Sequence, residues 1–201
     1  NAVWAVVIVL LEVPSGALAD LLGRKALLVA AAIMMTLEML LLAIVPIGSS
    51  WVFPALLLNR ILSGAAEAFA SGADEALAFD SLKAAGKDGD WPRVLERLMQ
   101  VGGLATIFAM VTGSLVYSPD LIQVVMKWAG FASQITLDDT FRLPVWLTFF
   151  SGCGAILVTL SMHELPRDHS ENNITLLDPF KQTLRTGYWI LTNPLVLVVI
   201  A

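Results

Sequence analysis

The sequence predicts an all-α membrane protein, a polytopic helical bundle. Three observations carry that expectation. Apolar residues make up 57% of the 201 and charged residues only 14%, where a soluble domain carries about a quarter. Mean hydropathy is +0.77. Five apolar windows have the length of roughly 20 residues that a helix needs to cross a hydrocarbon core.

In chain order, the helices are expected over 2–20, 26–46, 52–80, 92–117 and 143–163. The first carries Glu12 and Pro14, and the proline removes a backbone donor and favours a kink. Ser15, Gly16, Ala17 and Ala19 beside it form a small-residue surface suited to close packing. The second is interrupted only by Thr36 and Glu38. The third is long and carries Arg60, Glu67, Ser71, Asp74 and Glu75. The fourth follows Gly86, Gly89 and Pro92, with Asp90 as an N-cap. From Leu98 to Tyr117 it is free of charge, and so is the fifth from Leu143 to Met162. Between these two, segment 118–141 is either a short interfacial helix or a loop packed on the bundle. Its apolar positions include Leu121, Ile122, Val124, Val125, Trp128 and Phe131.

Cationic side chains orient the bundle. Arg24, Lys25, Lys83, Lys87, Arg93, Arg97, Arg167, Lys181 and Arg185 fall on one side, Lys127 and Arg142 on the other, and Arg60 inside a span. Cytoplasmic loops collect Lys and Arg, so the richer side is the cytoplasmic one. Segment 165–186 is the most polar stretch and reads as a cytoplasmic linker, and residues 187–201 open another apolar run. Asn1 in place of a Met, and Ala201 inside that run, make this chain an expected piece of a larger membrane protein. The net charge of −5 argues against a nucleic-acid partner. Cys153, without a second cysteine, excludes an internal disulfide.

Two motifs give the bundle a family resemblance. Gly16-Ala17-Leu18-Ala19-Asp20-Leu21-Leu22-Gly23-Arg24-Lys25 resembles the G-x-L-A-D-R-x-G-R-K loop of the major facilitator superfamily, with Leu21 where the family has a basic residue. Arg60-Ile61-Leu62-Ser63-Gly64-Ala65-Ala66-Glu67-Ala68 resembles the fourth-helix motif R-x-x-q-G-x-g-x-A, with Ser63 and Ala66 as departures. Asp80 matches the acid that ends that helix. The proline-containing fifth-helix motif of antiporters is absent. Glu164-Leu165-Pro166-Arg167 is weakly similar to the P-E-S-P-R of sugar porters.

The resemblance implies a major-facilitator-like N-terminal lobe over 1–164 that lacks its first helix, then the central linker and a truncated start of the second lobe. It also implies that Asp20, Arg24 and Asp80 form an ionic relay latching the inner gate, with Gly16, Gly23 and Lys25 in the same loop. The expected activity is secondary active transport of a small solute by alternating access, extending to proton-coupled efflux. The expected setting is the cytoplasmic membrane, with the lipid bilayer, a small-molecule substrate, protons, and the missing first helix and C-terminal lobe as partners. No cofactor is expected.

Residue by residue, ionisable groups inside a span are the first candidates, because charge in hydrocarbon is costly. At 100° per residue, Glu67, Ser71 and Asp74 fall within about 40° of Arg60 on one helix face. Arg60 lies about 13 Å of helical rise from the outer end. It is read as a substrate or proton-coupling contact, with an ion pair to Glu12, Glu38 or Glu67 as the structural alternative. Glu12 beside the kink is a gate candidate or a hydrogen-bonded neutral carboxyl. Glu38, among methionines and leucines, needs a partner or a proton. Asp74 and Glu75 line an inner mouth or are solvated helix-end charges. His163 and His169 read as loop residues, and neither a metal site nor a Ser–His pair of an intramembrane hydrolase is expected. A non-transporting receptor or subunit on the same fold is the remaining alternative.

Overall fold

The computed structural model describes residues 1–130, 136, 140–164 and 192, and the side chain of Asp20 lies outside that description. The linker 165–186, the expected start of a second lobe at 187–201 apart from Thr192, and Phe131 also fall outside the described residues.

The chain is helical, with no strand among the described residues. The helices are α1 (Ala2–Leu22), α2 (Arg24–Ile44), α3 (Val52–Ala70), α4 (Ala73–Ala84), α5 (Trp91–Tyr117), α6 (Pro119–Trp128) and α7 (Leu143–Ser161), with a short 3₁₀ turn at Asp88–Asp90. Four segments are long and apolar enough to cross a membrane: Arg24–Ile44, Val52–Ala84, Asp88–Tyr117 and Leu143–Ser161. In α1 the apolar stretch is the shorter Ala2–Glu12. Such lengths and compositions mark a membrane protein.

The helix expected over 52–80 is two helices. Ser71 takes ψ 113° and Gly72 takes φ +70°, the left-handed region that glycine enters at little cost. Helical register is lost there, so Asp74 does not continue the stripe of Arg60, Glu67 and Ser71. Segment 118–141 forms a helix over part of its length. α6 packs on the end of α5 and buries none of its residues, leaving Leu121, Val124, Val125 and Trp128 exposed.

α2 is the centre of the bundle. It packs most extensively against α7 and α3, while α1 packs on α3 and α4 on the inner end of α2. Small residues set these distances. A Cβ at Gly152 of α7 would lie 2.6 Å from the Thr36 hydroxyl of α2. A Cβ at Gly64 of α3 would lie 2.8 Å from the carbonyl oxygen of Trp4 and 2.9 Å from Cβ of Val7 on α1. This close approach through small residues is how helices associate where lipid tails remove the hydrophobic drive. In the small-residue surface expected around Gly16, Ser15 is buried, while a Cβ at Gly16 itself would meet nothing within 4 Å. The close contact of Gly64 with α1 is made near the other end of α1. Leu28, Ala73 and Leu77 form a buried cluster at the α2–α4 end, with Met162 against it. Phe79 and Trp91 meet edge to face at 5.4 Å and tie α4 to α5.

Gly64→Leu should therefore push α1 off α3 and destabilise the bundle by about 1–3 kcal/mol. Gly102→Leu on α5, where nothing lies within 4 Å, should not. Thermal unfolding of the two variants in detergent checks the contrast.

Candidate functional site

Polar side chains gather at three levels of the bundle. The first is the end where the α1–α2 turn, α4 and the exit of α7 converge. Arg24, at the first position of α2, forms an ion pair through Nη1 with Oδ2 of Asp80. The same Nη1 donates to the carbonyl oxygen of Ala76 at 2.7 Å. Its backbone N–H donates to Oε1 of Glu164 at 2.7 Å. Gly23 has φ +100°, and a Cβ there would collide with the Glu164 carboxylate. The positive φ is what calls for glycine there, and the Glu164 carboxylate rests in the space its missing side chain leaves. The carboxylate sits at the N-terminus of α2, where unsatisfied N–H groups and the helix dipole favour negative charge. Three segments that the charge distribution assigns to one side meet here. Glu164 was not among the expected gate residues. Its signal in the sequence was the short Glu164-Leu165-Pro166-Arg167 segment at the exit of an apolar helix. Lys25 is half-buried and Gly16 exposed.

The second level lies on the α2–α3 interface, about two turns from the C-terminal end of α2. Asn59 is completely buried, and its Nδ2 donates to the backbone carbonyl of Glu38 at 3.3 Å. Arg60 donates from Nε at 3.0 Å and from Nη2 at 2.5 Å, both to Oδ1 of Asn59. Glu38 is 6% exposed, and its Oε2 is buried without a hydrogen-bond partner among the described residues. Ser63 and Arg60, both on α3, are the polar groups that face its carboxyl. The interface thus encloses an acid, an amide, a guanidinium and a hydroxyl in surroundings of alanine and leucine. Low dielectric there makes each interaction stronger and each unpaired group costlier than in water.

Of the expected coupling residues, the structure brings together Arg60 and Glu38. Glu67 and Ser71 are exposed, away from that interface, and so is Glu12 at the Pro14 site. There the Ser15 hydroxyl is turned onto the Glu12 carbonyl at 2.7 Å. Asp74 and Glu75 are exposed in the first turn of α4, where acids suit the helix dipole, and Asp74 accepts the Glu75 N–H at 2.8 Å. Asn59 was missed because an amide beside an intramembrane arginine carries no signal of its own. Only the fold reveals that it faces α2.

The third level is the opposite end. Arg142, just before α7, donates to the carbonyls of Ala43 at 2.7 Å and Val45 at 2.6 Å. It thereby closes the C-terminus of α2, whose last carbonyls have no helical partner. Nearby, an open apolar cavity of about 380 Å³ is lined by Leu41, Val45, Trp51, Pro54, Ala55 and Leu58. Its lining is apolar and includes none of Glu38, Asn59, Arg60 and Ser63. Among the described residues, no three His, Cys, Asp or Glu side chains gather as metal ligands.

Replacing Arg142 with Met should free two carbonyls at the α2 terminus and lower stability by about 1.5–3 kcal/mol. A thermal melt would read this, and Arg142→Lys should recover part of it. Neither a family model, nor a curated protein, nor a solved structure matches this chain.

Proposed function

We propose that the chain belongs to a multi-pass secondary transporter of the cell membrane, related to the major facilitator superfamily, in which Arg60, Asn59 and Glu38 contribute one wall of a substrate and coupling site. The observation that carries this reading is the polar cluster itself. A guanidinium, a carboxyl and a fully buried amide lie within two spans that are otherwise largely apolar. Intramembrane ionisable groups are expensive to keep and mark substrate or ion pathways. At the cation-rich end, the Arg24–Asp80 pair supports the inner latch that the sequence motifs imply. Alternating access needs a polar site between two ends that open in turn, and the cluster together with the ion-paired end is what supports that reading.

Reconstitution of the full-length protein in vesicles with a panel of small solutes tests the reading. Arg60→Ala should reduce uptake about tenfold or more, the scale of one lost charged hydrogen bond at the site, while insertion and folding persist. Wild-type protein that transports nothing across the panel would favour a receptor or subunit on the same fold. The latch has its own test. With Cys153 replaced by Ser, a cysteine at Leu28, buried against α4, reports opening of that end. Its labelling by a membrane-impermeant thiol reagent should rise when Asp80→Asn is added. Unchanged labelling would remove the latch from the mechanism.

A further inference from the structure

We propose that α6 lies flat in the membrane surface at the cation-poor end of the bundle, with Leu121, Val124, Val125 and Trp128 inserted beneath the lipid headgroups. This placement needs only that α5 and α7 cross a membrane, and it stands whether or not the protein transports a solute.

The local sequence makes α6 a helix of its own. Ser118 is extended at ψ 116°, the backbone that a following proline imposes. Pro119 takes the first helical position, where its missing N–H costs nothing. The run of α5 therefore stops at Tyr117. Asp120 in the first turn and Lys127 in the last suit the helix dipole, and Gly130, at φ +84°, turns the chain out of the helix. Its 10 residues span about 15 Å, half of a hydrocarbon core, so α6 cannot cross the membrane.

What α6 joins sets its level. α5 and α7 both belong to segments long and apolar enough to be spans. The Thr140 hydroxyl, just ahead of α7, donates to the carbonyl oxygen of Tyr117 at the end of α5 at 2.9 Å, and Thr140 is completely buried. The finish of one span and the start of the next are thereby tied at one membrane edge. α6 leaves from that tie.

Its faces are sorted. At 100° per residue, Leu121, Val124, Val125 and Trp128 share an arc of about 100°. All four are exposed, Trp128 at 92%. Ile122 and Met126, about 130° round from the middle of that stripe, are half-buried, so the protein covers a different side of the helix. Asp120 and Lys127 are exposed along one edge, about 20° apart. An apolar stripe turned away from the protein, a charged edge and a terminal tryptophan form the pattern of a helix lying in the interface.

Lipid is the occupant that these observations select. A helix of 10 residues that buries none of them lacks the packing that short helices need in water, and an apolar phase along the stripe supplies it. Exposed apolar side chains run along α5 to Leu115 and Tyr117 and resume at Leu121, so the stripe continues a surface already in contact with hydrocarbon. Four side chains offer less than the roughly 800 Å² per partner of a standard protein interface. Asp120 and Lys127 cancel in charge, so insertion is apolar and needs no anionic lipid.

Nitroxide accessibility in the full-length protein, freed of its cysteines and reconstituted in phosphatidylcholine vesicles, tests the placement. Leu121→Cys, Val124→Cys, Val125→Cys, Asp120→Cys and Lys127→Cys carry the spin label in turn, and each position is exposed, so no packing is lost. Oxygen, which partitions into the bilayer, should relax labels at Leu121, Val124 and Val125 several-fold more than a water-soluble nickel chelate does. At Asp120 and Lys127 the order should reverse. Nickel dominating at all five positions would put α6 in water and overturn the proposal. Stripe labels shielded from both reagents would also overturn it, since they mark a protein partner or a second copy.

Discussion

The bundle depends on how the two ends of α2 are satisfied. A helix in hydrocarbon pairs its own backbone groups except in its first and last turns. Those turns of α2 are met from far along the chain, the N-terminus by Glu164 and the C-terminus by Arg142. Both residues flank α7. Charge signs match the helix dipole at each end, negative at the start and positive at the finish. One helix is thus held against another antiparallel to it, with Gly152 allowing the backbones to close on Thr36. Once α2 and α7 are paired in this register, α3 is left to cover the side of α2 that carries Glu38.

That placement explains the composition of the interface. Alanines at positions 31, 32, 55 and 66 bury themselves and keep α2 and α3 near one another and their neighbours. At such separations an amide can span the gap, and Asn59 does. Its two functions, donor to one helix and acceptor for an arginine of its own, make it the pivot of the cluster. An aspartate there would add a second buried acid, and a leucine would leave Arg60 without its acceptor. The arginine and the acid can coexist in a low-dielectric layer because a neutral group mediates between them.

The helical, membrane-spanning character was legible in the sequence because hydropathy over 20 residues reports it directly. The Arg24–Asp80 contact was legible through the motifs alone: the resemblance of the Gly16–Lys25 loop and of the segment ending at Asp80 to the major facilitator superfamily implies that pairing, and no spacing or charge pattern singles it out among the other charges at that edge. The caps at Glu164 and Arg142 were not legible, since they join residues 97 to 140 positions apart through packing that no local pattern encodes. Arg60 was recognised as a buried charge, with its partner left open among Glu12, Glu38 and Glu67 and with Asn59 not considered. The fold supplies it sideways, from Glu38 and Asn59. The break at Ser71–Gly72 was hidden in a run of small residues that also reads as good helix packing.

That break has a bearing on how the molecule sits in its lipid. An unbroken helix from Val52 to Ala84 would measure about 50 Å, well beyond a hydrocarbon layer of roughly 30 Å. Such an excess would be relieved by tilting the whole rod, which would carry Arg60 toward one surface or the other. A joint at Gly72 absorbs the difference in the lower piece alone. The depth of the buried arginine is thereby insulated from membrane thickness, so bilayers of unequal width would present the same electrostatic environment to the cluster.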